Sequence, residues 1–325
     1  MKDVAFRAGV ALKTVSRVVN GEPGVTPETT KRVLGAIEDL GFRRNESARL
    51  LRTGRTATLG FISDNCGHPD HAAVCRGVEE IARDHGFLVF TGSTDNDPSR
   101  EEVLALSLCS RRVDGLIMAP TSGDHEYLVP EMEAGVAAVF VLRPPELPGV
   151  DVVLADERGG AKEAVAHLIA QGHRRIGYLD GDLTGYRSRQ LLSGYTEAMS
   201  AAGLPVDAAW TTLAPQRLLD SAVTAVFCGS REHTVRVLRA LATAQHTPTA
   251  RGRTRRVAVV GFGDFELADL VSPGVTMVSY DPAEIGHAAG SLLLERVAGE
   301  QGPPRRVELP TRLIPRGSAE FPPDD

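Results

Sequence analysis

Four cysteines in 325 residues, at positions 66, 75, 109 and 228, are too few and too scattered to frame a disulfide-bonded fold. That scarcity suits a reducing compartment, and a cytoplasmic location is expected. No run of eighteen apolar residues exists, so no membrane-spanning helix and no membrane partner are expected. The opening residues already read as a polar helix, which is not the pattern of a secretory leader. Catalytic signatures are equally scarce. The chain has no GxSxG, P-loop or HExxH, and Gly261-Phe262-Gly263 lacks the third glycine of a dinucleotide fingerprint. Asp180-Gly181-Asp182 could stand at a strand end, but two aspartates near a turn usually cap or solvate it. Neither enzymatic activity nor a cofactor is expected.

What is present is a division of charge. A formal net charge of −6 would argue against nucleic acid if it were spread evenly. It is not: residues 1–57 hold eleven Lys/Arg against six Asp/Glu, a net of +5, and the rest of the chain carries −11. A cationic head on an acidic body suits DNA binding that weakens steeply with salt. The 42% hydrophobic content is enough for sizeable cores, and the length allows two or three domains beyond a short head.

The head carries a helix-turn-helix pattern. In Lys2-Asp3-Val4-Ala5-Phe6-Arg7-Ala8-Gly9-Val10, Ala5 is small where two helices cross and Gly9 supplies the positive φ of a turn. Val10, Val15 and Val19 give the next segment an apolar side, leaving Leu12, Lys13, Ser16 and Arg17 outward for a major groove. A third helix is expected to start at Thr26 as N-cap, with Pro27 and Glu28 in its first turn. Val33, Leu34, Ile37 and Leu40 recur at helical spacing, and Gly41 ends the run. The segment Arg43–Gly54 is too short and polar to be a stable helix alone, though it could fold on a partner surface through Leu50 and Leu51.

From Thr58 onward short apolar runs alternate with helical patterns. Leu59–Ile62, Leu88–Phe90, Leu116–Met118 and Val139–Leu142 read as buried strands of a first lobe, with helices near 72–85, 99–112 and 125–134. Val152–Leu154 reads as the start of a second series, continuing through Ile176–Leu179, Ala225–Cys228 and Val257–Val260. Its helices are placed near 158–171, 187–202 and 231–244. Such alternation predicts an α/β class with parallel sheets, two lobes, and a ligand cleft at the carboxyl ends of the strands. Phe321–Asp325 reads as a disordered tail.

The chain resembles the lac repressor/galactose repressor family of bacterial transcription regulators nearly end to end. The resemblance rests on Lys2-Asp3-Val4-Ala5, on Thr14-Val15-Ser16-Arg17 with Asn20-Gly21, and on Leu50-Leu51-Arg52-Thr53-Gly54-Arg55-Thr56. In the body it rests on Arg111-Arg112-Val113-Asp114-Gly115-Leu116-Ile117, Gly172-His173-Arg174-Arg175-Ile176-Gly177, Val259-Val260-Gly261-Phe262 and Leu292-Leu293-Leu294-Glu295-Arg296. It implies a helix-turn-helix head (1–44), a hinge helix and linker (45–57) and a periplasmic-binding-protein-like core (58–325). Lobe 1 would span about 58–154 plus 281–307, and lobe 2 about 155–280 plus 308–318. It further implies a homodimeric repressor, with a tetramer left open, gripping a near-palindromic double-stranded operator.

Residue roles follow from the same resemblance. Leu12, Lys13 and Arg17 match base-reading positions; an arginine can be bidentate to guanine, and a leucine can touch a thymine methyl. Thr14, Ser16, Asn20, Thr26 and Thr29 match phosphate contacts, which set register without reading sequence. Asn45, Ala48 and Leu51 match the hinge, where a leucine wedge kinks the minor groove; simple packing against the mate's hinge is the plainer role. The chain starts a residue or two later than the family's usual pattern, Ala11 replaces a capping serine, and Arg44 replaces a common proline.

Departures gather in the cleft. Cys66-Gly67-His68-Pro69-Asp70-His71 puts Asp70 and His71 where the family has aromatics, and Leu191 replaces an arginine, with Arg189 nearby. Ser230-Arg231 stands for Asn-Asp, Gly263 leaves only Asp264 of an Asp pair, and Tyr280 replaces a glutamine. The stretch from Leu204 to Thr224 is shorter than the family norm by about a helix. A sugar cleft needs planar hydrogen-bonding groups and aromatic faces, so an ordinary free sugar is not the expected effector. Three readings stay open: a different small molecule, for instance an anion met by Arg143, Arg189 and Arg231; no ligand at all; or a metal on Cys66, His68 and His71. A solute-binding protein of the periplasmic type is the competing class, but it would have no use for Lys13, Arg17 or a hinge.

Overall fold

Helix α1 (Lys2–Ala8) stops at Gly9, whose φ of 62° is a left-handed conformation that glycine adopts without strain. Val10 N–H then donates to Ala5 O at 3.0 Å, turning the chain into α2 (Leu12–Asn20). Thr26 caps α3 (Pro27–Asp39): its Oγ1 accepts the Thr29 N–H at 3.3 Å, with Pro27 and Glu28 in the first turn. Val4, Ala5, Ala8, Val15, Val33 and Ala36 form the core of this bundle, with Val10, Val18, Val19, Ile37 and Phe42 around it. Leu34 and Leu40 are exposed, against expectation. Leu34 lies off the Val33–Ala36–Ile37 line, and Leu40 falls past the helix end as its C-cap.

The computed structural model describes residues 1–20, 22–42, 55–181, 184–212, 214–245 and 256–324, in two compact units, Met1–Thr56 and Ala57–Asp325. The expected hinge residues Asn45, Ala48 and Leu51 lie outside the described residues, as do Gly21, Asp182 and the side chain of Asn20. No described helix is long and apolar enough to cross a membrane.

The second unit builds two six-stranded sheets. The first contains β1 (Thr58–Ser63), β2 (Leu88–Ser93), β3 (Gly115–Met118), β4 (Ala137–Val141), β5 (Asp151–Ala155) and the late strand β11 (Arg306–Leu309). Its order is β11-β5-β4-β3-β1-β2, and every pair is parallel. The second holds β6 (Ile176–Leu179), β7 (Thr211–Thr212), β8 (Ala225–Cys228), β9 (Ala258–Phe262), β10 (Thr276–Ser279) and β12 (Arg312–Ile314). Its order is β12-β10-β9-β8-β6-β7. Strand β12 runs antiparallel to β10, a departure from the all-parallel expectation. Only Pro310 and Thr311 separate it from β11, which leaves no length for a crossover helix.

Helices α4 (Pro69–Asp84), α5 (Pro98–Ser110), α6 (Val129–Glu133) and α11 (Pro282–Ala298) serve the first sheet. Helices α7 (Glu157–Ala170), α8 (Tyr186–Ala201), α9 (Pro215–Asp220) and α10 (Arg231–Gln245) serve the second. Strand residues alternate between the two sides of each sheet. Leu59, Phe61, Val139, Val141 and Val153 join the α4–α11 side, while Ile62, Phe140, Val152 and Leu154 join the other. Helices α4 and α11 cross at two glycines: a Cβ on Gly77 would strike Ala283 O, and one on Gly286 would strike Val74 O. Only hydrogen fits there.

Three expectations are corrected. Val152–Leu154 does not open the second series, because β5 pairs with β4 and β11 in the first sheet. A strand buried on both faces reads the same in either sheet, so nothing local marks its allegiance. Leu88 and Phe90 are not buried: β2 is an edge strand, and they are 68% and 47% exposed. The tail from Phe321 to Asp324 is ordered. Phe321 packs on the second lobe's core, its carbonyl lies 3.0 Å from His173 Nε2, and Arg256 stacks 3.9 Å above its ring.

Candidate functional site

In the head, the turn at Gly9 and the buried Val15 fix which side of α2 faces outward. Leu12 and Lys13 are exposed there, and Ser16 and Arg17 are partly exposed, all on one face of the helix. Two cationic groups, a hydroxyl and an apolar side chain thus share a surface that about a turn and a half of helix presents together. Thr14 is half-buried, with its N–H on Ala11 O at 2.9 Å. Thr26 Oγ1 donates to Thr29 Oγ1 at 2.9 Å, so both hydroxyls lie together at the start of α3.

In the second unit, residues that follow the carboxyl ends of strands in the two sheets meet at the interlobe cleft. Asp70, in the first turn of α4, accepts from Arg231 at 2.7 Å and from the Tyr280 hydroxyl at 3.2 Å. Beside this bridge, His68 caps α4, its Nδ1 accepting the Asp70 N–H at 3.3 Å. Its Nε2 lies 3.6 Å from Glu232, the neighbour of Arg231. That contact raises the His68 pKa above its ordinary value and holds the Glu232 carboxyl down at about 2. Two adjacent ion pairs therefore join the start of α4 to the start of α10 across the cleft.

Deeper lie Glu157, Asp180 and Arg187. Glu157 is 6% exposed at the start of α7, and burial pushes its carboxyl up to about 8 despite Arg187, whose Nε is 3.6 Å away. Arg187 lies over the Phe262 ring at 5.2 Å. Burial opposes its charge, but Tyr280, Glu157, Asp70 and Asp180 together raise its pKa. Asp180 is buried at the end of β6, where Tyr178 OH donates to it at 2.6 Å and Gly181 N–H at 2.7 Å. His233 faces it at 3.6 Å and is lowered in pKa, chiefly by burial.

Of the residues expected in the cleft, His68, Asp70, Arg231 and Tyr280 come together. His71 turns to Asp64, with Nδ1 2.6 Å from its carboxylate. Burial opposes ionisation of Asp64, but His71, the Asn65 N–H and Arg143 bring its pKa below the usual range. Arg143 hydrogen-bonds Asn96 at 3.3 Å, and burial lowers its pKa. Asp264 is committed to Arg316, which donates to both its oxygens at 2.7 Å. Arg189 is exposed and donates to Thr184 O. The arginines expected to meet an anion are thus each engaged by protein groups. The metal set does not assemble either: Cys66 Sγ lies 3.5 Å from Ser63 Oγ and Gly92 O, while the two histidines face different carboxylates. Among the described residues no group of three His, Cys, Asp or Glu side chains is disposed to hold a metal ion.

Residues 1–45 match the family model of bacterial regulatory proteins of the lacI family, and residues 165–319 match that of periplasmic binding protein-like domains. The chain is 34% identical to the HTH-type transcriptional regulator CelR of Thermobifida fusca, covering 97% of this chain and 96% of that protein. It belongs to the lacI family. Two solved structures agree over 98% of each chain. One is a transcriptional regulator CelR–cellobiose complex, 32% identical with a TM-score of 0.70. The other is the lac repressor dimer bound to operator and the anti-inducer ONPF, which at 21% identity and a TM-score of 0.82 shows likeness of fold. This lacI-family chain is a DNA-binding transcriptional regulator.

Sequence reasoning missed Arg187 and Glu157. A signal for Arg187 was available: it lies four residues before Leu191 and so on the same face of α8, one turn nearer the cleft. Glu157 gave none, because an acid after Asp156 at a helix start reads as ordinary dipole chemistry.

Proposed function

We propose that this regulator is a repressor that binds a near-palindromic operator as a homodimer and answers to a small molecule in its interlobe cleft. The observation that carries the DNA part is the outward face of α2, where Leu12, Lys13, Ser16 and Arg17 are presented together by a packed three-helix unit. Leu12, Lys13 and Arg17 are assigned base reading, and Thr14, Ser16, Asn20, Thr26 and Thr29 phosphate contacts. Asn45, Ala48 and Leu51 are assigned the minor-groove hinge on the family's motif alone.

Two apolar surfaces support a dimer. Leu88 and Phe90 on edge strand β2 are exposed together with Val103 on α5. Leu267, Leu270 and Val271 are exposed on the second lobe. A second copy of the chain that covered them would remove this apolar surface from water. The experiment is selection from random DNA by the full chain and by a chain lacking residues 1–57. Recovery of a near-palindrome by the full chain alone is expected; recovery of no sequence would end the reading.

A second reading has one observation in its favour. The Asp70–Arg231–Tyr280 bridge closes the cleft with the protein's own groups, as a regulator without an effector would. A thermal-shift screen of the core decides between them, because a ligand that prefers the folded state raises its melting temperature.

A further inference from the structure

Glu157 is left with unfinished business by the fold. Among the described residues, its Oε2 and the Nε of Arg187 are buried and have no hydrogen-bond partner. A buried acceptor and a buried donor, each unsatisfied, cost free energy unless a bound molecule completes them. The two groups face one another, since Arg187 Nε stands 3.6 Å from Glu157 Oε1. A ligand completing both must offer a donor to one and an acceptor to the other on neighbouring atoms.

Charge narrows the class. The guanidinium of Arg231 faces Asp70, and that of Arg187 has Glu157, Asp70 and Asp180 around it. With Glu157 protonated by burial, these two cations stand against Asp70 and Asp180. The groups facing Glu157 are Arg187 on α8, Asp180 at the end of β6, Glu308 on β11, Tyr280 after β10 and its own neighbour Asp156. Only one of them is a cation. Around Glu157 three acids, Asp180, Asp156 and Glu308, therefore face one cation, a field that disfavours an anionic ligand and favours a cationic one.

We infer that the cleft takes an amino alcohol, with an ammonium group on Glu157 Oε2 and an adjacent hydroxyl oxygen accepting from Arg187 Nε. This rests on reading the interlobe cleft as the effector site. Burial keeps the free Glu157 carboxyl protonated up to about pH 8. The ammonium therefore displaces its proton: the O–H bond breaks, the proton passes to solvent, and the carboxylate pairs with the cation. No redox change or further reactant is involved.

The test is a charge series on one skeleton: 1-amino-1-deoxy-D-glucitol, D-glucitol and D-gluconate, repeated with the galacto and manno skeletons. Each is titrated calorimetrically into the full chain at pH 7 in two buffers of different ionisation enthalpy. The amine is expected to bind at least about tenfold tighter than the alcohol, with the carboxylate weakest. Amine binding should release a proton that alcohol binding does not. Glu157→Gln should abolish the release and most of the amine's advantage, leaving the alcohol within about threefold. Should that variant not fold, the wild-type charge order and proton count decide alone. Equal or tighter binding of the alcohol or carboxylate, binding of none on any skeleton, or proton release that survives Glu157→Gln overturns the inference. Binding of a selected operator by the same preparation is the control. Operator binding without the amine discards this ligand and keeps the regulator; loss of both discards the reading beneath it.

Discussion

Asp70 and Arg231 meet at 2.7 Å across the cleft although 161 residues separate them. Each stands at the start of a helix on a different lobe, so the pair ties the two lobes at one point. Both side chains are mostly buried, and the Tyr280 hydroxyl takes Asp70's second oxygen.

Breaking that pair from one side strands a partly buried guanidinium. Asp70→Asn should therefore cost about 3 kcal/mol, while Asp70→Leu with Arg231→Leu should recover much of it. Chemical denaturation of the three proteins checks this. A single variant as stable as wild type would show that the bridge carries no load.

Arg17→Ala should weaken operator binding by about 1–3 kcal/mol and relax preference at one operator position. Random DNA should be affected much less, because its contacts are to phosphate. Fluorescence anisotropy on both DNAs separates the outcomes; equal losses would place Arg17 on the backbone.

At Gly286 there is no room for a side chain, since a Cβ would strike backbone atoms of α4 at Val74 and Val78. Gly286→Ala is expected to destabilise the core by about 1–3 kcal/mol through the forced separation of α4 and α11. A melting temperature equal to wild type would mean that the helices can part freely.

Glu157 gives stability a defined pH dependence. Its folded pKa of about 8 lies above the ordinary 4.5, so between those values the folded state holds a proton that the unfolded chain has lost. The contribution is full below the ordinary value and is lost as pH rises toward 8, by at most about 1.4 kcal/mol per unit. Between pH 5 and 8 the melting temperature of wild type should fall with pH, while that of Glu157→Gln falls less. Parallel curves would assign the slope elsewhere.

Phe90 is 47% exposed on an edge strand that ends its sheet. Phe90→Asp should shift the full chain from dimer to monomer in sedimentation velocity and weaken operator binding with it. An unchanged dimer would place the interface away from β2.

The sequence by itself determined the local grammar. The Gly9 turn, the Thr26 cap and the short apolar runs of β1, β4 and β8 depend on neighbours a few residues away, so they are legible without the fold. The outward face of α2 follows from helical periodicity once Val15 is seen to be buried. Tertiary structure alone decided which sheet β5 joins, that β2 lies at an edge, and that Phe321 is gripped by His173 and Arg256. It also decided the cleft. Asp70, Glu157, Arg187, Arg231 and Tyr280 are brought together by two sheets whose strands are far apart in the chain, and no pattern of adjacent residues encodes that meeting. The raised pKa values of Glu157, Arg187 and Tyr280 come from burial and from neighbouring charges, which are properties of the folded neighbourhood and not of the residue types.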